Sequence, residues 1–277
     1  MRKLIKSEKQ IKKIRKSSEI LSFVLKELAK HVKPGIKPID LDILARELIE
    51  KAGGSPAFLG YQPDGALYPF PFALCSSVNA IIVHGRPSDT PLKEGDIIKL
   101  DLGVDWKGGI SDSAITVPVG KISREAQILI ELTRKALEKG IEQVKPGRTI
   151  GDIGHAIEKT VISGGGKIID GLTGHGVGDR VHEDPIIYNF GESNTGLEIE
   201  AGMVLAIEPM VSMKTSDMKQ LSDDSFVTID GSLSAQFEHT VLVTKSGHEV
   251  LTEKIRSLTS KLRNHSRNTA SRYRCHM

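Results

Sequence analysis

Apolar residues recur at helical intervals in four stretches of this chain, with shorter apolar runs between and after them. The spacing predicts helices over about residues 8–31, 39–52, 123–143 and 150–162. Glycine follows each of these stretches within a few residues, as is typical of helix C termini. The shorter runs predict strands near residues 80–83, 97–104, 114–117, 203–207, 225–229 and 236–244.

The first part of this pattern is repeated later in the chain. The tetrapeptide Val32-Lys33-Pro34-Gly35 recurs as Val144-Lys145-Pro146-Gly147, and the pair Gly53-Gly54 recurs at the same separation as Gly165-Gly166. Each copy runs helix, tetrapeptide, helix, glycines and strands. This order predicts an α+β protein of two halves related by duplication. A ligand site would then lie at the junction of the halves.

Composition narrows the class of protein without identifying it. The chain has 277 residues, of which 39% are hydrophobic and 26% charged, as in an ordinary globular protein. Its apolar runs are too short for a membrane-spanning helix, and the first residues lack the apolar core of a signal peptide. The two cysteines, Cys75 and Cys275, are far apart, which favours a reducing cytoplasm over a disulfide framework.

The net charge of +3 conceals two basic ends. Residues 2–16 contain eight Lys or Arg against one acid, and residues 254–277 contain seven and no acid, so each end is strongly basic. Such ends can contact nucleic acid or a ribosome, although solvated charged faces explain them more simply. We expect one folded domain over residues 1–252 and a basic, disordered tail over residues 253–277, which have few large apolar side chains.

Two aspartates interrupt the apolar segment after residue 96. Asp101 lies inside the predicted strand 97–104, and the turn Lys107-Gly108-Gly109 precedes Asp112. A hairpin at this turn brings Asp112 roughly opposite Asp101, where like charges repel. Either residue alone could be a turn cap or a surface side chain, but an opposed pair between apolar strands requires a cation.

Two glutamates and a histidine occupy comparable positions later in the chain. Glu208 ends an apolar run before Pro209, which cannot donate to a central strand ladder, and Glu238 lies in a second apolar run. His175 stands between glycines, which allow the backbone to approach a ligand closely. Each residue alone has an ordinary structural explanation, so the argument depends on the whole set.

This set contains four carboxylates and one imidazole: Asp101, Asp112, His175, Glu208 and Glu238. Two like charges about 4 Å apart repel by roughly 4 kcal/mol at an effective dielectric constant of about 20, so four carboxylates in one cleft require divalent cations. Their oxygens are sufficient to bridge two metals, and the imidazole favours Mn, Fe, Co or Zn over Ca. Two such metals could share a hydroxide nucleophile and polarise a carbonyl.

With these residues in view, the sequence resembles the type I methionine aminopeptidases, metallopeptidases of the pita-bread fold, over about residues 8–252. The resemblance rests on several motifs whose combination and order are specific: Ser77-Val78-Asn79 with His84-Gly85, residues 95–112, Gly174-His175-Gly176-Val177-Gly178 with His182-Glu183-Asp184-Pro185, Ile207-Glu208-Pro209-Met210, and residues 232–240. It implies two pseudo-symmetric α+β halves with a curved antiparallel sheet covered by helices.

The resemblance also implies two divalent metal ions, whose identity among Co, Mn, Fe and Zn stays open. Asp112, His175, Glu208 and Glu238 would hold one ion, while Asp101, with bridging Asp112 and Glu238, would hold the second. The free amino group of the substrate would lie at the second metal, which limits cleavage to the first residue.

Three residues would act on the substrate if the resemblance holds. His84 would contact the scissile amide and help to protonate the leaving amine, and His182 would stabilise the oxyanion. Glu208 would move the proton of the attacking water. Without the resemblance, a structural role for either histidine would explain the sequence equally well.

Cys75 and Tyr61 match the part of the family that binds the methionine side chain, although Cys75 could equally be an ordinary buried thiol. This region also departs from the family pattern. The segment from Tyr61 to Cys75 is longer than usual, and Val181 replaces a common phenylalanine. An expected tryptophan is absent, and Phe226 could replace it. These differences leave the shape and substrate range of the pocket open.

The implied function is removal of the first methionine from nascent polypeptides with a small second residue, by a cytoplasmic monomer without a membrane partner. One alternative is a Xaa-Pro peptidase of the same fold, which usually carries an additional N-terminal domain that the residues before His84 cannot supply. Another is a metal-free peptide- or ribosome-binding adaptor, but such relatives typically lose metal ligands, and all five are present.

Overall fold

Four helices form the outer layer of the molecule. The computed structural model describes residues 4–62 and 68–253. The helices are α1 (Glu8–His31), α2 (Pro38–Lys51), α3 (Arg124–Ile141) and α4 (Ile150–Ser163). All four were predicted, and their bounds differ from the prediction by at most two residues. The predicted basic tail lies outside the described residues from position 254 onward.

Short antiparallel strands make up the inner layer. In the described part of the chain they are β1 (Ser55–Pro56), β2 (Leu74–Val78), β3 (Ile81–Val83), β4 (Ile97–Asp105), β5 (Ile110–Pro118), β6 (Lys167–Ile168), β7 (Thr173–Gly176), β8 (Glu183–Tyr188), β9 (Val204–Ile207), β10 (Met210–Ser212), β11 (Met218–Gln220), β12 (Phe226–Thr228), β13 (Ser234–Gln236), β14 (His239–Val243) and β15 (His248–Val250). In the largest sheet the strand order is β15-β14-β9-β7-β8. In the second largest, β4 pairs with β1, β2 and β5.

The hairpin predicted around residues 107–109 is present as β4 and β5. The second strand begins at Ile110, four residues before the predicted start at Ala114. The prediction was too short because residues 111–113 are polar, yet they are buried in the ladder. The Ser113 hydroxyl is satisfied there, because it donates to Glu238 O at 2.7 Å.

The single strand predicted over residues 236–244 is wrong, because the structure divides it into β13 and β14. The division falls at Phe237 and Glu238. The backbone N–H of Glu238 donates to Ala114 O at 2.9 Å, in a different part of the molecule. This contact with the first half of the chain ends β13, and β14 then pairs with β9.

The internal repeat is visible in equivalent hydrogen bonds. Gly54 N donates to Ile49 O at 3.1 Å after α2, and Gly166 N donates to Val161 O at 2.9 Å after α4. Gly53, which precedes the first of these donors, and its counterpart Gly165 both have φ of 79°. Positive φ favours glycine, so the repeated glycine pairs end equivalent helices in the same way.

Each half has its own apolar core between helices and strands. In the first half, α1 and α2 cover one face of β4, where Ile98, Leu100 and Leu102 are fully buried. In the second half, α3 and α4 cover β9 through Leu205 and Ile207. Because side chains alternate along a strand, the odd-numbered residues of β4 and the even-numbered residues of β9 face away from the helices.

A seam of side-chain hydrogen bonds joins the two halves along β5, and it contains Thr116, Gln236, Asp112 and Thr240. The Thr116 hydroxyl donates to Gln236 O at 2.7 Å and accepts from Gln236 N at 3.0 Å. Thr240 uses its hydroxyl in the same way, donating to Asp112 O at 2.6 Å and accepting from Asp112 N at 2.9 Å. Two threonines therefore replace ladder hydrogen bonds and fix β5 against the segment that contains Glu238.

Helix α4 packs closely on β8, which predicts the effect of a glycine substitution. A Cβ at Gly154 would lie 2.7 Å from Tyr188 O and closer still to Phe190 O. Gly154→Ala should therefore lower the free energy of unfolding by about 1–3 kcal/mol, even though alanine is normally favoured within helices.

Denaturant unfolding measures this change. Gly247→Ala is the matched control, because a Cβ there has no atom within 4 Å. It should change stability by less than about 0.5 kcal/mol. Equal stabilities for the two variants would contradict the packing described for α4 and β8.

Candidate metal centre and its cleft

The two predicted hairpin aspartates are neighbours on one face of the sheet. Asp101 of β4 pairs with Ala114, and Asp112 of β5 pairs with Gly103. Asp112 therefore lies roughly opposite Asp101, as predicted, with an offset of two residues that makes the pair diagonal. The offset keeps both side chains on the face away from α1 and α2, because strand side chains alternate with a period of two.

The second half of the chain brings the other three predicted residues to the same place. Glu208 directly follows β9 and lies on the face away from α3 and α4. His175 of β7 pairs with Ala206 of β9 and so points to that face as well. Glu238 lies between β13 and β14, where the seam holds its backbone against Ala114.

All five side chains are buried, and several of their ligand atoms are close together. His175 Nε2 lies 3.3 Å from Glu208 Oε1 and 3.9 Å from Asp112 Oδ2. Ligand atoms of Asp112, His175 and Glu238 all lie within 4.8 Å of one another. His175 Nδ1 is 3.0 Å from Gly176 O, which can only accept, so Nδ1 carries the proton and Nε2 is free to bind a metal.

Burial and mutual repulsion both oppose charge on these carboxylates. The pKa values of Asp101, Asp112 and Glu238 are raised well above the ordinary carboxyl range, first by burial and then by neighbouring carboxylates that include Glu208. One oxygen of each, Asp101 Oδ1, Asp112 Oδ1 and Glu238 Oε1, has no hydrogen-bond partner in the described part of the chain. Buried acceptors without donors, next to an imidazole nitrogen, fit a divalent cation.

A buried lysine close to this cluster does not take the place of the cation. Lys99 lies two residues before Asp101 and is fully buried. Its ammonium group donates to Asn79 O at 2.7 Å and to Ser234 O at 3.0 Å. Burial lowers its pKa well below the ordinary lysine value. Lys99 therefore ties the β2–β3 turn to β13 instead of neutralising the carboxylates.

Two further predicted residues, His84 and His182, line the cleft beside the cluster. His84 follows β3 with φ of 59°, and burial lowers the pKa of its imidazole. The ring of His182 lies 4.5 Å from the ring of His175. Burial, followed by repulsion from His175 and His84, lowers the pKa of His182 to about 3. His182 is therefore neutral near pH 7.

A small apolar pocket opens from the same cleft, which has a volume of about 530 Å³. Its wall contains buried Phe58, Cys75 and Val181, with Tyr61 and Phe70 packed against them. Burial and then the charge of Asp101 raise the pKa of the Cys75 thiol well above its ordinary value. The structure thus places Cys75 and Tyr61 together, as predicted, with Val181 beside them. Residues 63–67 of the long segment before Cys75 lie outside the described residues.

The aromatic residue suggested in place of the missing tryptophan lies beside His84. The ring of Phe226, on β12, is 5.7 Å from the ring of His84 in an edge-to-face arrangement. Phe226 therefore packs against a predicted catalytic side chain. Its position beside His84 could not be predicted because β12 reaches β3 only through tertiary pairing.

The sequence argument missed one residue that contacts the cluster directly. Gln236 of β13 is buried, and its Nε2 donates to Glu208 Oε2 at 3.0 Å. Its Oε1 has no hydrogen-bond partner among the described residues. The sequence feature that could have indicated Gln236 is a glutamine inside an apolar run, two residues before Glu238. Gln236 leaves one oxygen of Glu208 facing His175.

The fold and this cluster define a metal-dependent enzyme, and comparison with known proteins identifies its family. The profile described as metallopeptidase family M24 matches residues 12–245. The methionine aminopeptidase of Aquifex aeolicus is 46% identical over 253 residues, which cover 89% of this chain and 97% of that protein. This chain belongs to metallopeptidase family M24.

Solved structures agree with this assignment. The methionine aminopeptidase structure from Thermotoga maritima matches with a TM-score of 0.86 at 40% identity, covering 90% of this chain and 99% of that chain. The prolidase of Pyrococcus furiosus matches with a TM-score of 0.73 at 24% identity and shows the fold alone, with 66% of that chain covered. The predicted α+β pita-bread fold is confirmed. Among the described helices, none is long and apolar enough to cross a membrane.

The raised carboxyl pKa values predict how pH affects the metal-free protein. Carboxyls with raised pKa values stabilise the fold fully below the ordinary carboxyl range and lose that contribution as pH rises through the raised values. The melting temperature of chelator-treated protein should therefore fall between about pH 5 and about pH 8. Added Mn²⁺ or Co²⁺ should raise it more at the higher pH, because the ligands bind metal when deprotonated.

Thermal unfolding with and without metal at both pH values tests this expectation. The variant Asp112→Asn/Glu238→Gln is the control and should lose most of the metal effect and much of the pH dependence. An equal metal effect on wild type at both pH values would contradict the assigned carboxyl behaviour.

Proposed function

We propose that this protein removes the N-terminal methionine from newly made polypeptides, preferring those with a small second residue. The observation that carries the proposal is the cluster of four carboxylates and one imidazole, buried beside an apolar pocket in a single cleft. The identities of 46% and 40% to methionine aminopeptidases, over nearly the full length of those proteins, support the same activity. The proposed catalytic domain covers residues 1–252.

We assign two divalent metal ions, Co, Mn, Fe or Zn, to the five buried ligands. Asp112, His175, Glu208 and Glu238 would hold one ion, and Asp101 would hold the second with Asp112 and Glu238 bridging. When bound, the ions supply a water nucleophile at neutral pH and Lewis-acid polarisation of a carbonyl. The unpartnered oxygens of Asp101, Asp112 and Glu238 support this division of ligands.

The pocket explains why the cleft would accept methionine. Its apolar wall of Phe58, Cys75, Val181 and Phe70 suits an unbranched thioether side chain, which packs well against aromatic rings. The raised pKa of Cys75 keeps its thiol neutral, so the wall carries no charge there. Tyr61 joins this wall to the catalytic side, because its hydroxyl lies 3.0 Å from His182 Nδ1.

Three side chains would act on the peptide. Neutral His182 would accept the Tyr61 hydroxyl proton at Nδ1 and so present Nε2–H as a donor for the developing oxyanion. His84, whose pKa is also lowered by burial, would contact the scissile amide and pass a proton to the leaving amine. Glu208 would accept the proton of the attacking water, with Gln236 fixing its carboxylate.

The proposed substrates place this activity in the cytoplasm, where new chains leave the ribosome. We propose that the protein acts as a monomer and that its basic ends contact the ribosome. Within the described residues, Lys9 and Lys12 of α1 are exposed and available for such contact. Attraction of this kind weakens with salt.

Peptide cleavage tests the proposed activity directly. Met-Ala-Ser should be cleaved far faster than Met-Lys-Ser, because a large second residue would crowd the cleft, and Ala-Pro peptides should be poor substrates. Mass spectrometry of the products measures each rate with Mn²⁺, Co²⁺, Fe²⁺ or Zn²⁺ added. A preference for Xaa-Pro peptides would instead assign the chain the activity of a proline-directed peptidase.

Removing one bridging carboxylate should abolish both metal binding and turnover. Asp112→Asn or Glu238→Gln should lower kcat/KM by about 100-fold or more and reduce bound metal, measured by elemental analysis. Asp89→Asn is the matched control, because the side chain of Asp89 is 84% exposed and forms its ion pair with Lys37, outside the cluster. Full activity in either bridging variant would disprove the bridging role.

Ribosome contact should be salt-dependent. Wild-type protein should co-sediment with ribosomes at low salt, and the Lys9→Glu/Lys12→Glu variant should bind less, since charge reversal weakens attraction to RNA. Binding that ignores both salt and these substitutions would contradict contact through the basic N-terminal segment.

A further inference from the structure

The loop that contains His182 is held by a residue from the start of the chain. This loop, residues 178–182, connects β7 to β8 and contributes Val181 to the pocket wall. The start of the chain reaches it because Ile5 forms an isolated β-bridge with Met203. Lys6 N also donates to Gly202 O at 2.9 Å. The backbone of Lys6 is therefore fixed beside β9.

The side chain of Lys6 ends at two carboxylates, one on this loop and one at the first residue of β8. Its ammonium group donates to Asp179 Oδ2 at 2.9 Å and to Glu183 Oε2. The Lys6 side chain is only 3% exposed and that of Glu183 only 10%, whereas that of Asp179 is 60% exposed. The pair of Lys6 and Glu183 is thus the buried one, and the loss of one partner would leave the other charge uncompensated.

Glu183 uses its other oxygen to shape the loop. Glu183 Oε1 accepts the backbone N–H groups of Asp179 and Arg180, each at 2.7 Å. The carboxylate therefore closes the loop on itself and stands directly next to His182 in the chain. Because one oxygen faces Lys6 and the other faces the loop backbone, displacement of Lys6 would release both sets of contacts.

The beginning of the loop is held by the same part of the molecule. Gln10 Nε2 donates to Gly178 O at 3.2 Å, and Ile110 N donates to the same oxygen at 2.7 Å. Gly178 has φ of 148°, and a Cβ there would lie 2.9 Å from Lys6 Cε. Glycine at this position permits the close approach of the lysine stem.

We propose that Lys6 is a positioning residue for catalysis: through Glu183 it holds the loop 178–182 so that His182 meets the developing oxyanion. This inference rests on the proposed function and adds to it a residue remote from the chemistry. Within the described part of the chain, the hydrogen bonds of Lys6 reach neither a proposed metal ligand nor the apolar pocket; they lead to Asp179, Glu183 and the backbone near β9. Replacement of Lys6 should therefore change turnover by altering the position of His182.

A double-mutant cycle tests this route. Lys6→Met keeps the apolar stem and removes the ammonium group, and it should lower kcat on Met-Ala-Ser about 10-fold with a smaller change in KM. Lys6→Arg should recover most of the activity. In a His182→Ala background, Lys6→Met should change kcat less than about 2-fold, because the group it positions is already gone.

Lys135→Met is the matched control, since Lys135 is an exposed lysine of α3. It should leave kcat and KM unchanged. Hydrogen exchange at the amides of Asp179 and Arg180 should accelerate in Lys6→Met and stay at the wild-type rate in Lys135→Met. Glu183→Gln should reproduce the effects of Lys6→Met. If Lys6→Met fails to fold, Glu183→Gln tests the same contact.

Equal losses from Lys6→Met in the wild-type and His182→Ala backgrounds would overturn the proposal, as would unchanged exchange at Asp179 and Arg180. Bound metal, measured in parallel, should stay at the wild-type level; its loss would also overturn a route through His182. A wild-type enzyme without activity on methionyl peptides would instead disprove the proposed function, and the exchange measurement would still decide whether Lys6 holds the loop.

Discussion

Four carboxylates buried in one cleft are the constraint on which this structure depends. Asp101, Asp112, Glu208 and Glu238 repel one another and are removed from water, and burial raises the pKa values of Asp101, Asp112 and Glu238. Such a group is stable only with protons or with divalent cations. Membership of metallopeptidase family M24 supports divalent cations at this cluster, and the fold brings the five candidate ligands together from both halves of the chain.

The duplicated halves explain how these charges converge. The first half contributes a hairpin with two aspartates on the strand face away from its helices. The second contributes His175 of β7, Glu208 after β9, and Glu238 between β13 and β14. Thr116 and Thr240 join the halves through reciprocal hydrogen bonds along β5. The seam therefore fixes the distance between ligands that neither half could position alone.

The walls of the cleft depend on contacts from distant parts of the chain. Tyr61 links the apolar pocket to His182, and Lys6 reaches Glu183 beside that histidine. Lys99 ties the β2–β3 turn to β13, next to the strand end that holds Gln236. The buried lysines Lys6 and Lys99 thus hold together the segments around the cluster through hydrogen bonds. The cluster itself consists of carboxylates, an imidazole and an amide. This separation leaves the ligands available to metal.

The sequence by itself determined the four helices, the internal repeat, the β4–β5 hairpin and the identity of the five candidate ligands. These follow from periodicity, turn glycines and polar residues within apolar runs, all of which act between near neighbours. Tertiary structure alone decided the diagonal offset of Asp101 and Asp112, the break at Glu238, and the contacts of Gln236 and Lys6. Each joins segments far apart in sequence, and only the packing of the two halves selects the register in which they meet.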